Sequence, residues 1–155
     1  MITIEIADRK HLPQVLGLWQ ELMDYHTQFD PLFETRKDGA KNWEQYLRGL
    51  MKVREARVFV AIEDGEVIGY SPCRVASHPP VLKQEHYGLI MDMAVKQGHR
   101  RRGVGTMMLA QIYEWVKSIG LERIELQVVP KNKVGYSFWQ KHGFADYLHS
   151  LYKKI

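Results

Sequence analysis

The chain has 155 residues, a length that predicts a single domain, residues 1–155, with one sizeable core. Hydrophobic residues make up 45% and charged residues 26%, as is typical of globular proteins, and no apolar run approaches the ~20 residues that span a bilayer, so no membrane partner is expected. The formal net charge of +4 favours anionic partners, but basic and acidic residues are interleaved outside 96–102, which argues against a dedicated nucleic-acid binder.

The first half of the chain predicts a strand, two helices and a hairpin. Residues 2–7 alternate isoleucine with polar residues, which is the pattern of a half-buried strand. Apolar residues recur at spacings of three and four over 12–23 and again over about 40–51, which predicts two helices joined by a polar loop at 25–39. Two β-rich runs within 56–75 flank an Asp-Gly pair, and this pair favours a tight turn.

The second half predicts three strands and two helices. YGLIMDMAV (87–95) is expected to form a strand, followed by a glycine-rich loop and a helix over about 103–119. RIELQVV (123–129) is expected to form the next strand, and a short helix follows Pro130. The segment 144–153 can supply a last strand.

Two features indicate a cytoplasmic protein. The amino-terminal stretch MITIEIADRK has no basic leader and no long apolar core, so no secretory signal is expected. The single cysteine, Cys73, cannot form an internal disulfide, which fits a reducing compartment. A nucleophilic Cys73 would need a base and a lowered pKa, and the sequence offers only His78 nearby, so Cys73 is expected to be a small core residue.

The stretch AVKQGHRRRGVGTMML (94–109) places three arginines, Arg100 to Arg102, directly before Gly103-Val104-Gly105. A strand, a loop and a helix predict an anion site here, because the first turn of a helix has unpaired N–H groups and carries about half a positive charge. Glycine lets phosphate oxygens approach the backbone, and arginine adds charged donors. A solvated basic loop is the alternative. A dinucleotide fingerprint would need glycine at Met108, and a P-loop would need Gly-Lys-Ser/Thr.

The same stretch resembles the acyl-CoA pyrophosphate motif of the GNAT N-acetyltransferases, Q/R-x-x-G-x-G/A, which residues 100–105 satisfy. Downstream, NKVGYSFWQKHGF (132–144) resembles the asparagine, helix and Gly-Phe ending of that family, and the order of predicted elements agrees over nearly the whole chain. The resemblance implies an α/β GNAT acyl-CoA N-acyltransferase fold, with a mixed, mostly antiparallel sheet, a splay between strands 4 and 5, and about four flanking helices.

The resemblance also implies acetyl-CoA as the cosubstrate, without a metal. The pantetheine arm is expected to enter the splay and pair with the backbone of the fourth strand, while the pyrophosphate lies on the main-chain amides of 101–106. Asn132 matches the asparagine that hydrogen-bonds this arm in the family, although capping the following helix is an equally good use of it. The residues assigned to the cofactor are Met93, Ala94, Val95, Arg100, Arg101, Arg102, Gly103, Val104, Gly105, Thr106, Asn132 and Trp139.

Members of this family mostly acetylate amines by direct attack on the thioester, which implies transfer to a primary amine here. A lysine-like amine has a pKa of ~10.4, so deprotonating it at pH 7 costs roughly 4–5 kcal/mol and requires a base. Asp92 is the best-placed carboxylate, and a paired structural aspartate is its alternative role. Some relatives that acetylate polyamines have glutamate at the position of Met91, so this departure argues against their mechanism. His26, Asp30 and His86 are weaker candidates.

Protonation of the leaving thiolate involves a second departure from the family. Many relatives place a tyrosine four residues before the Gly-Phe pair, and here that position is Trp139. Tyr136 lies one turn earlier and could substitute as the catalytic acid, because residues three apart share a helix face. Core packing is the alternative role of both side chains. A thiol of pKa ~8.5 also leaves tolerably as its anion.

Of the parts of the predicted reaction, the acceptor amine is the one on which the sequence gives the least information. The family forms its acceptor site from the loop between the first two helices and from connections beside the third and fourth strands, here about 25–39 and 77–86. Acidic and aromatic side chains in the first loop could hold a cationic amine, although ordinary surface loops have the same composition. The predicted function is N-acetylation of a small molecule or peptide. The alternatives are a catalytically weak CoA-binding or regulatory module and a nucleic-acid binder using Arg100 to Arg102, and a homodimer is left open.

Overall fold

A hairpin of the two longest strands lies at the centre of an open six-stranded sheet in the computed structural model, which describes all 155 residues. The strands are β1 (Ile2–Ile6), β2 (Ala56–Glu63), β3 (Glu66–Ser77), β4 (His86–Ile90), β5 (Ala94–Val95) and β6 (Ile124–Glu125). They run in the order β1-β2-β3-β4-β6, and β5 pairs with β3 beyond the end of β4. Only β4 and β6 are parallel, so the predicted mixed, mostly antiparallel sheet is confirmed.

Four helices pack against this sheet, as predicted. They are α1 (Leu12–Thr27), α2 (Gly39–Leu50), α3 (Val104–Ser118) and α4 (Lys133–Lys141). Pro13 lies in the first turn of α1, where its missing N–H would have had no helical acceptor. Gly120 ends α3 in a left-handed conformation (φ +78°), and its amide donates to the Lys117 carbonyl at 3.0 Å. None of these helices is both long and apolar enough to cross a membrane.

The side chains of β2 alternate between two layers of helices. Val58 and Val60 pack into the core shared with α1 and α2, whereas Phe59 and Ala61 pack against residues of α3. Because both faces of the central hairpin are covered, its strands are nearly continuous apolar runs. The two helical layers therefore approach the sheet from opposite sides.

The tight turn predicted for the hairpin is confirmed. Glu63 pairs with Glu66, which leaves a two-residue loop, and both loop residues have positive φ: +50° at Asp64 and +77° at Gly65. Asp-Gly suits this conformation because aspartate tolerates the left-handed region and glycine has no Cβ to clash. A short local signal thus fixes the register of the strands at the centre of the sheet.

The continuous strand predicted for 87–95 is interrupted. β4 ends at Ile90, opposite Cys73, and pairing resumes where Ala94 lies opposite Tyr70. Four steps along this strand thus match three steps along β3, which is the signature of a β-bulge. The bulge occupies residues 91–93 and re-aims the side chains that follow it.

Two further strand predictions change in the structure. The strand expected at 123–129 is reduced to β6, which pairs with only Gly88 and Leu89 of β4. Since the ladder ends there, the predicted splay between the fourth strand and the strand after α3 is present. The last strand expected at 144–153 does not form. The apolar spacing of that segment is misleading because its side chains lack a sheet surface to cover, and Leu148 and Leu151 remain largely exposed.

Candidate active site

The amino terminus of α3 presents a row of unpaired main-chain donors. None of the amides of residues 101–106 donates a hydrogen bond within the protein, and the first paired amide of the helix is that of Met107. Gly103 is the N-cap and has φ +79°, and Arg101 also has a positive φ of +63°. The unpaired amides and the dipole of α3 together favour the binding of an anion at this end of the helix. This is the loop that the sequence predicted as an anion site.

The three arginines have different surroundings. Arg100 donates from Nε to the carbonyl of Val95 at 3.1 Å, so it fixes the loop to the end of β5. Arg102 pairs with Glu63 at 2.9 Å and holds the pKa of that carboxyl below its usual value. Arg101 makes no side-chain hydrogen bond or ion pair and is exposed. Of the three predicted ligands, only Arg102 has an acidic partner, and Arg101 is the one that makes no side-chain contact of either kind.

The two motif glycines serve different purposes. A Cβ on Gly103 would meet no atom within 4 Å, so this position lies on the open side of the loop. A Cβ on Gly105 would lie 3.0 Å from the ring of Phe138 and 3.6 Å from the sulfur of Met93. Gly105 therefore allows α4 to pack closely against α3, and its role in the motif is at least partly steric.

Asn132 joins α4 to α1 at the side of this loop. It is 8% exposed, and its Oδ1 accepts hydrogen bonds from the Gly135 amide at 3.1 Å and from the Tyr25 hydroxyl at 3.1 Å. The first bond makes Asn132 the N-cap of α4, the alternative that its residue type left open. Its Nδ2 donates to no protein atom, so this amide remains available to a ligand. Tyr25 is one of the aromatic residues of the predicted acceptor loop, but its contact with Asn132 was not predicted, because the two residues are 107 positions apart.

The bulge at 91–93 is encoded in the facing strand. Pro72 has no N–H to donate, and its carbonyl accepts from the Met91 amide at 2.9 Å. Ser71, which is fully buried, donates through Oγ to the carbonyl of Asp92 at 2.7 Å and so replaces a missing ladder bond. The amides of Asp92 and Met93 donate no hydrogen bond within the protein. A proline inside an apolar strand was the available signal for this irregularity.

Asp92 has the properties of a proton acceptor. Burial raises the pKa of Asp92 from 3.8 to about 6, and a hydrogen bond from Tyr70 opposes the rise. The Tyr70 hydroxyl lies 3.3 Å from Asp92 Oδ2. A carboxyl with this pKa is mostly ionised at pH 7 and is more basic than an exposed aspartate.

The structure directs Tyr136 and Trp139 to different places. The Tyr136 hydroxyl donates to the carboxylate of Asp146, and this bond raises the pKa of Tyr136. Trp139 packs between Phe138 and Phe144, with ring centroids 4.9 and 5.3 Å away. Both side chains thus have structural partners on or next to α4.

The other candidate residues from the sequence are either buried in the core or engaged in hydrogen bonds within the protein. Burial raises the pKa of the Cys73 thiol to about 12, so it is not a thiolate, and its expected place in the core is confirmed. His78 is engaged by Glu125, 2.6 Å from Nε2. Asp30 caps the short helical turn Pro31–Phe33 through a hydrogen bond from the Leu32 amide. No group of three or more His, Cys, Asp or Glu side chains is placed to hold a metal ion.

The side of the predicted acceptor loop is rich in aromatic rings. His26 lies in contact with Tyr25, Phe29 and Phe33, with ring centroids between 5.3 and 5.7 Å away. Its Nδ1 lies 2.8 Å from the Leu22 carbonyl, an acceptor, so Nδ1 carries a proton and Nε2 faces away from that bond. The loop between α1 and α2 is therefore an ordered aromatic surface next to Asn132.

Residues 17–144 match the model of the acetyltransferase (GNAT) family. The chain belongs to this family. The resemblance inferred from the arginine-glycine motif is thereby confirmed, and the motif, the splay and the bulge are features of a GNAT domain in this chain.

Curated relatives of this GNAT chain are themselves described as acetyltransferases. An uncharacterized N-acetyltransferase of Methanocaldococcus jannaschii, MJ1207, is 30% identical over 118 residues, 76% of this chain and 50% of that protein. An N-alpha-acetyltransferase of Sulfurisphaera tokodaii is 31% identical over 104 residues, 62% of this chain and 60% of that protein. The chain thus spans about half to three fifths of the length of these relatives.

Solved structures share the fold of this GNAT chain over its whole length. A mutant of the BH1408 protein from Bacillus halodurans has a TM-score of 0.89 at 18% identity and covers 99% of both chains. A predicted acetyltransferase from Clostridium acetobutylicum, solved with acetyl-CoA, has a TM-score of 0.80 at 21% identity and covers 99% of this chain and 96% of that one. The aminoglycoside N-acetyltransferase AAC(6')-Iy, in complex with CoA, has a TM-score of 0.79 at 17% identity and covers 100% and 95%. These similarities establish the fold.

Proposed function

We propose that this protein transfers the acetyl group of acetyl-CoA to a primary amine by direct attack. The observation that carries the proposal is the row of unpaired amides at 101–106, which stands beside a splayed sheet and an available Asn132 amide. The diphosphate of CoA matches donors of this kind. CoA complexes of structures with the same fold support the choice of cofactor.

The residues present fit the cofactor. The amides of 101–106 would hold the diphosphate, Arg101 would add charge, and Asn132 Nδ2 would donate to the arm. The backbone of Met93 and Ala94 borders the splay and is proposed to pair with the arm. Val95 is proposed to pair with the arm as well, and its carbonyl also accepts a hydrogen bond from Arg100. Acetyl-CoA supplies the chemistry of an activated acetyl thioester.

The bulge provides donors for the reacting carbonyl. The amides of Asp92 and Met93 are free, and they stand on the strand that borders the splay. Amides held in this way stabilise the negative charge that develops on an acyl oxygen during acyl transfer. In a regular strand these two amides would point to opposite sides and one of them would donate to β3, so the bulge adds a free donor at this place.

Asp92 is the proposed base. An amine of pKa ~10.4 is protonated at neutral pH, and a carboxylate in the site can take its proton directly or through water. The pKa of Asp92, raised by burial to about 6, brings it nearer to the working pH than an exposed aspartate. The proton moves from the amine nitrogen to the carboxylate, and then to solvent.

The role of Tyr136 as the acid that protonates the leaving thiolate remains a prediction. The Tyr136 hydroxyl is bonded to Asp146, and its raised pKa makes it a weaker acid. The role of Trp139 toward the cofactor is likewise a prediction, and its packing against Phe138 and Phe144 supports a structural contribution. A thiol of pKa ~8.5 can leave as its anion, so the proposal does not depend on either residue.

The acceptor is proposed to be a small molecule or peptide bearing a primary amine. The aromatic surface around His26, with Asp24 and Glu34 on the same segment, suits a cationic amine. The names of similar proteins support both acceptor types, since one is an N-alpha-acetyltransferase and another an aminoglycoside N-acetyltransferase. A cytoplasmic location and a homodimer remain predictions.

A thiol-release assay tests the proposal. Acetyl-CoA is presented with a panel of polyamines, amino acids, aminoglycosides and peptide amines, and free thiol is measured with and without each amine. We expect at least one amine to release thiol in proportion to acetylated product. Tight CoA binding without thiol release across the panel would favour a regulatory module, and no CoA binding would overturn the proposal altogether.

A further inference from the structure

Three side chains from different elements meet behind the bulge. Tyr70 on β3 is fully buried, and its hydroxyl donates to Asp92 Oδ2 at 3.3 Å. Trp43 on α2 has a buried indole N–H without a hydrogen-bond acceptor of its own. This N–H lies near enough to the Tyr70 hydroxyl to lower its pKa, in opposition to the larger effects of burial and of Asp92.

The direction of the contacts follows from donor chemistry. A tyrosine hydroxyl has one proton and free lone pairs, and an indole has one N–H and no acceptor. The hydroxyl therefore gives its proton to the Asp92 carboxylate, and the Trp43 N–H, which has no hydrogen-bond partner in the chain and no lone pair, does not compete for that proton. Burial and the Asp92 charge raise the pKa of Tyr70 well above its usual value, so Tyr70 stays a donor.

The arrangement treats the two oxygens of Asp92 differently. Oδ2 accepts from Tyr70, whereas Oδ1 has no hydrogen-bond partner in the chain and is not sealed from solvent. Burial and the Tyr70 hydroxyl are the two influences on the pKa of Asp92, and no charged side chain of α1, α2 or β3 adds to them. Tyr70 is therefore the one side chain that stabilises the carboxylate.

We propose that Tyr70 is a positioning residue that holds Asp92 through Oδ2 and leaves Oδ1 to take the proton of the acceptor amine. The inference rests on the proposed function, in which Asp92 is the base. It adds a residue that the sequence did not single out, because the Tyr70–Asp92 contact spans 22 positions. It also gives a reason for a buried hydroxyl where phenylalanine would fill the same space.

Tyr70→Phe is the test, with Tyr113→Phe as the matched control. Tyr113 is a partly buried tyrosine on α3, far from the bulge in sequence, and has no side-chain hydrogen bond. The pH dependence of kcat/KM is measured for both variants. In Tyr70→Phe we expect the acid limb to move to higher pH and kcat/KM at pH 6.5 to fall about 4- to 40-fold, with a smaller loss at pH 8.5. The control should follow the wild type.

Carboxyl ¹³C NMR of Asp92 gives a second readout that is independent of turnover. The titration should move upward in Tyr70→Phe, and in the same direction but less in Trp43→Phe, which also serves if Tyr70→Phe fails to fold. An unchanged carboxyl titration, or an equal loss of kcat/KM at every pH, would overturn the positioning role. Wild-type activity in Asp92→Asn would instead overturn Asp92 as the base, which is a separate failure.

Discussion

At the proposed base, catalysis and stability make opposite demands on one carboxyl. Burial raises the pKa of Asp92 to about 6, which suits a group that must accept a proton near neutral pH. The same burial penalises the ionised form that predominates at pH 7. Tyr70 recovers part of this penalty by donating to Oδ2. The residue therefore destabilises the fold under the conditions in which it would act.

Asp92→Asn should stabilise the protein at neutral pH. The folded pKa, about 6, lies above the ordinary 3.8, so the folded state binds the proton more tightly and stability falls as the pH rises through this window. The loss at pH 7 is roughly 3 kcal/mol, and asparagine avoids it because it carries no charge. Chemical denaturation should show the gain at pH 7.5 and near equality at pH 4. A variant no more stable than the wild type at pH 7.5 would contradict the assigned burial of the carboxylate.

Gly103→Glu should abolish acetyl-CoA binding and preserve the fold. With φ +79° and no atom within 4 Å of a Cβ, a side chain here strains the backbone by about 1–2 kcal/mol but clashes with nothing. Its carboxylate would be attached to the N-cap residue, beside the proposed site, and would repel the diphosphate. Calorimetric titration should show at least about 100-fold weaker binding, equivalent to ~2.7 kcal/mol.

Gly120→Glu is the control for that variant. Gly120 lies at the other end of α3, with φ +78° and equally open surroundings, so the substitution brings the same strain and the same charge. It should lose similar stability and keep its affinity for acetyl-CoA. If both variants bound acetyl-CoA equally weakly, the proposal that the diphosphate binds at the amino terminus of α3 would be contradicted.

At the scale of elements, α4 is held in place by one asparagine with two uses. Its Oδ1 accepts from the Gly135 amide and the Tyr25 hydroxyl, while its Nδ2 is free. The oxygen therefore serves the fold, and the nitrogen is available to the cofactor. Because the two atoms are chemically distinct, substitutions can separate the two roles.

Asn132→Asp and Asn132→Ala should differ in a defined way. Aspartate keeps the cap and loses the Nδ2 donor, so its stability should stay near that of the wild type while acetyl-CoA binds more weakly. Alanine loses both, and the missing cap should cost about 1 kcal/mol of unfolding free energy. Thermal denaturation and calorimetric titration measure the two effects. If aspartate binds acetyl-CoA as tightly as asparagine does, Asn132 is a cap only.

The elements that the sequence predicted correctly depend on local signals. The Asp64-Gly65 turn and the glycine-rich start of α3 are each encoded within a few residues. The bulge at 91–93 was missed because its cause, Pro72, lies on the facing strand. The splay came from the family resemblance, whereas the short length of β6 depends on contacts with β4. The strand expected at 144–153 was wrong because apolar residues in a segment do not by themselves supply a partner strand.

Site contacts show the same division between local and long-range information. The anion loop could be predicted because all its donors belong to one short segment. The Tyr70–Asp92 and Tyr25–Asn132 contacts could not, since they join residues 22 and 107 positions apart. Such pairs become visible only once the strand register and helix packing are known.

At the scale of the whole molecule, much of the basic charge near the anion site is neutralised by acidic neighbours. Arg102 pairs with Glu63 at 2.9 Å, and Lys96 pairs with Glu66. Arg100 and Arg101 have no acidic partner, and Arg101 makes no side-chain hydrogen bond at all. A net charge of +4 spread in this way fits the proposed anion site better than it fits the continuous basic surface that nucleic acids require.

Acetyl-CoA binding should therefore depend only moderately on salt. Raising NaCl from 50 to 200 mM should weaken binding by less than about 10-fold, whereas a protein with many phosphate contacts to DNA loses about 10³- to 10⁵-fold over the same range. The main-chain amides and the helix dipole act at contact distance, where screening is weak, and only the arginine charges act over the Debye length of about 10 Å. Glu63→Gln frees Arg102 and should tighten binding at 50 mM NaCl more than at 200 mM. A steep salt slope for labelled oligonucleotides, with no response to added CoA, would instead favour the nucleic-acid alternative and leave the amides of 101–106 without their proposed ligand.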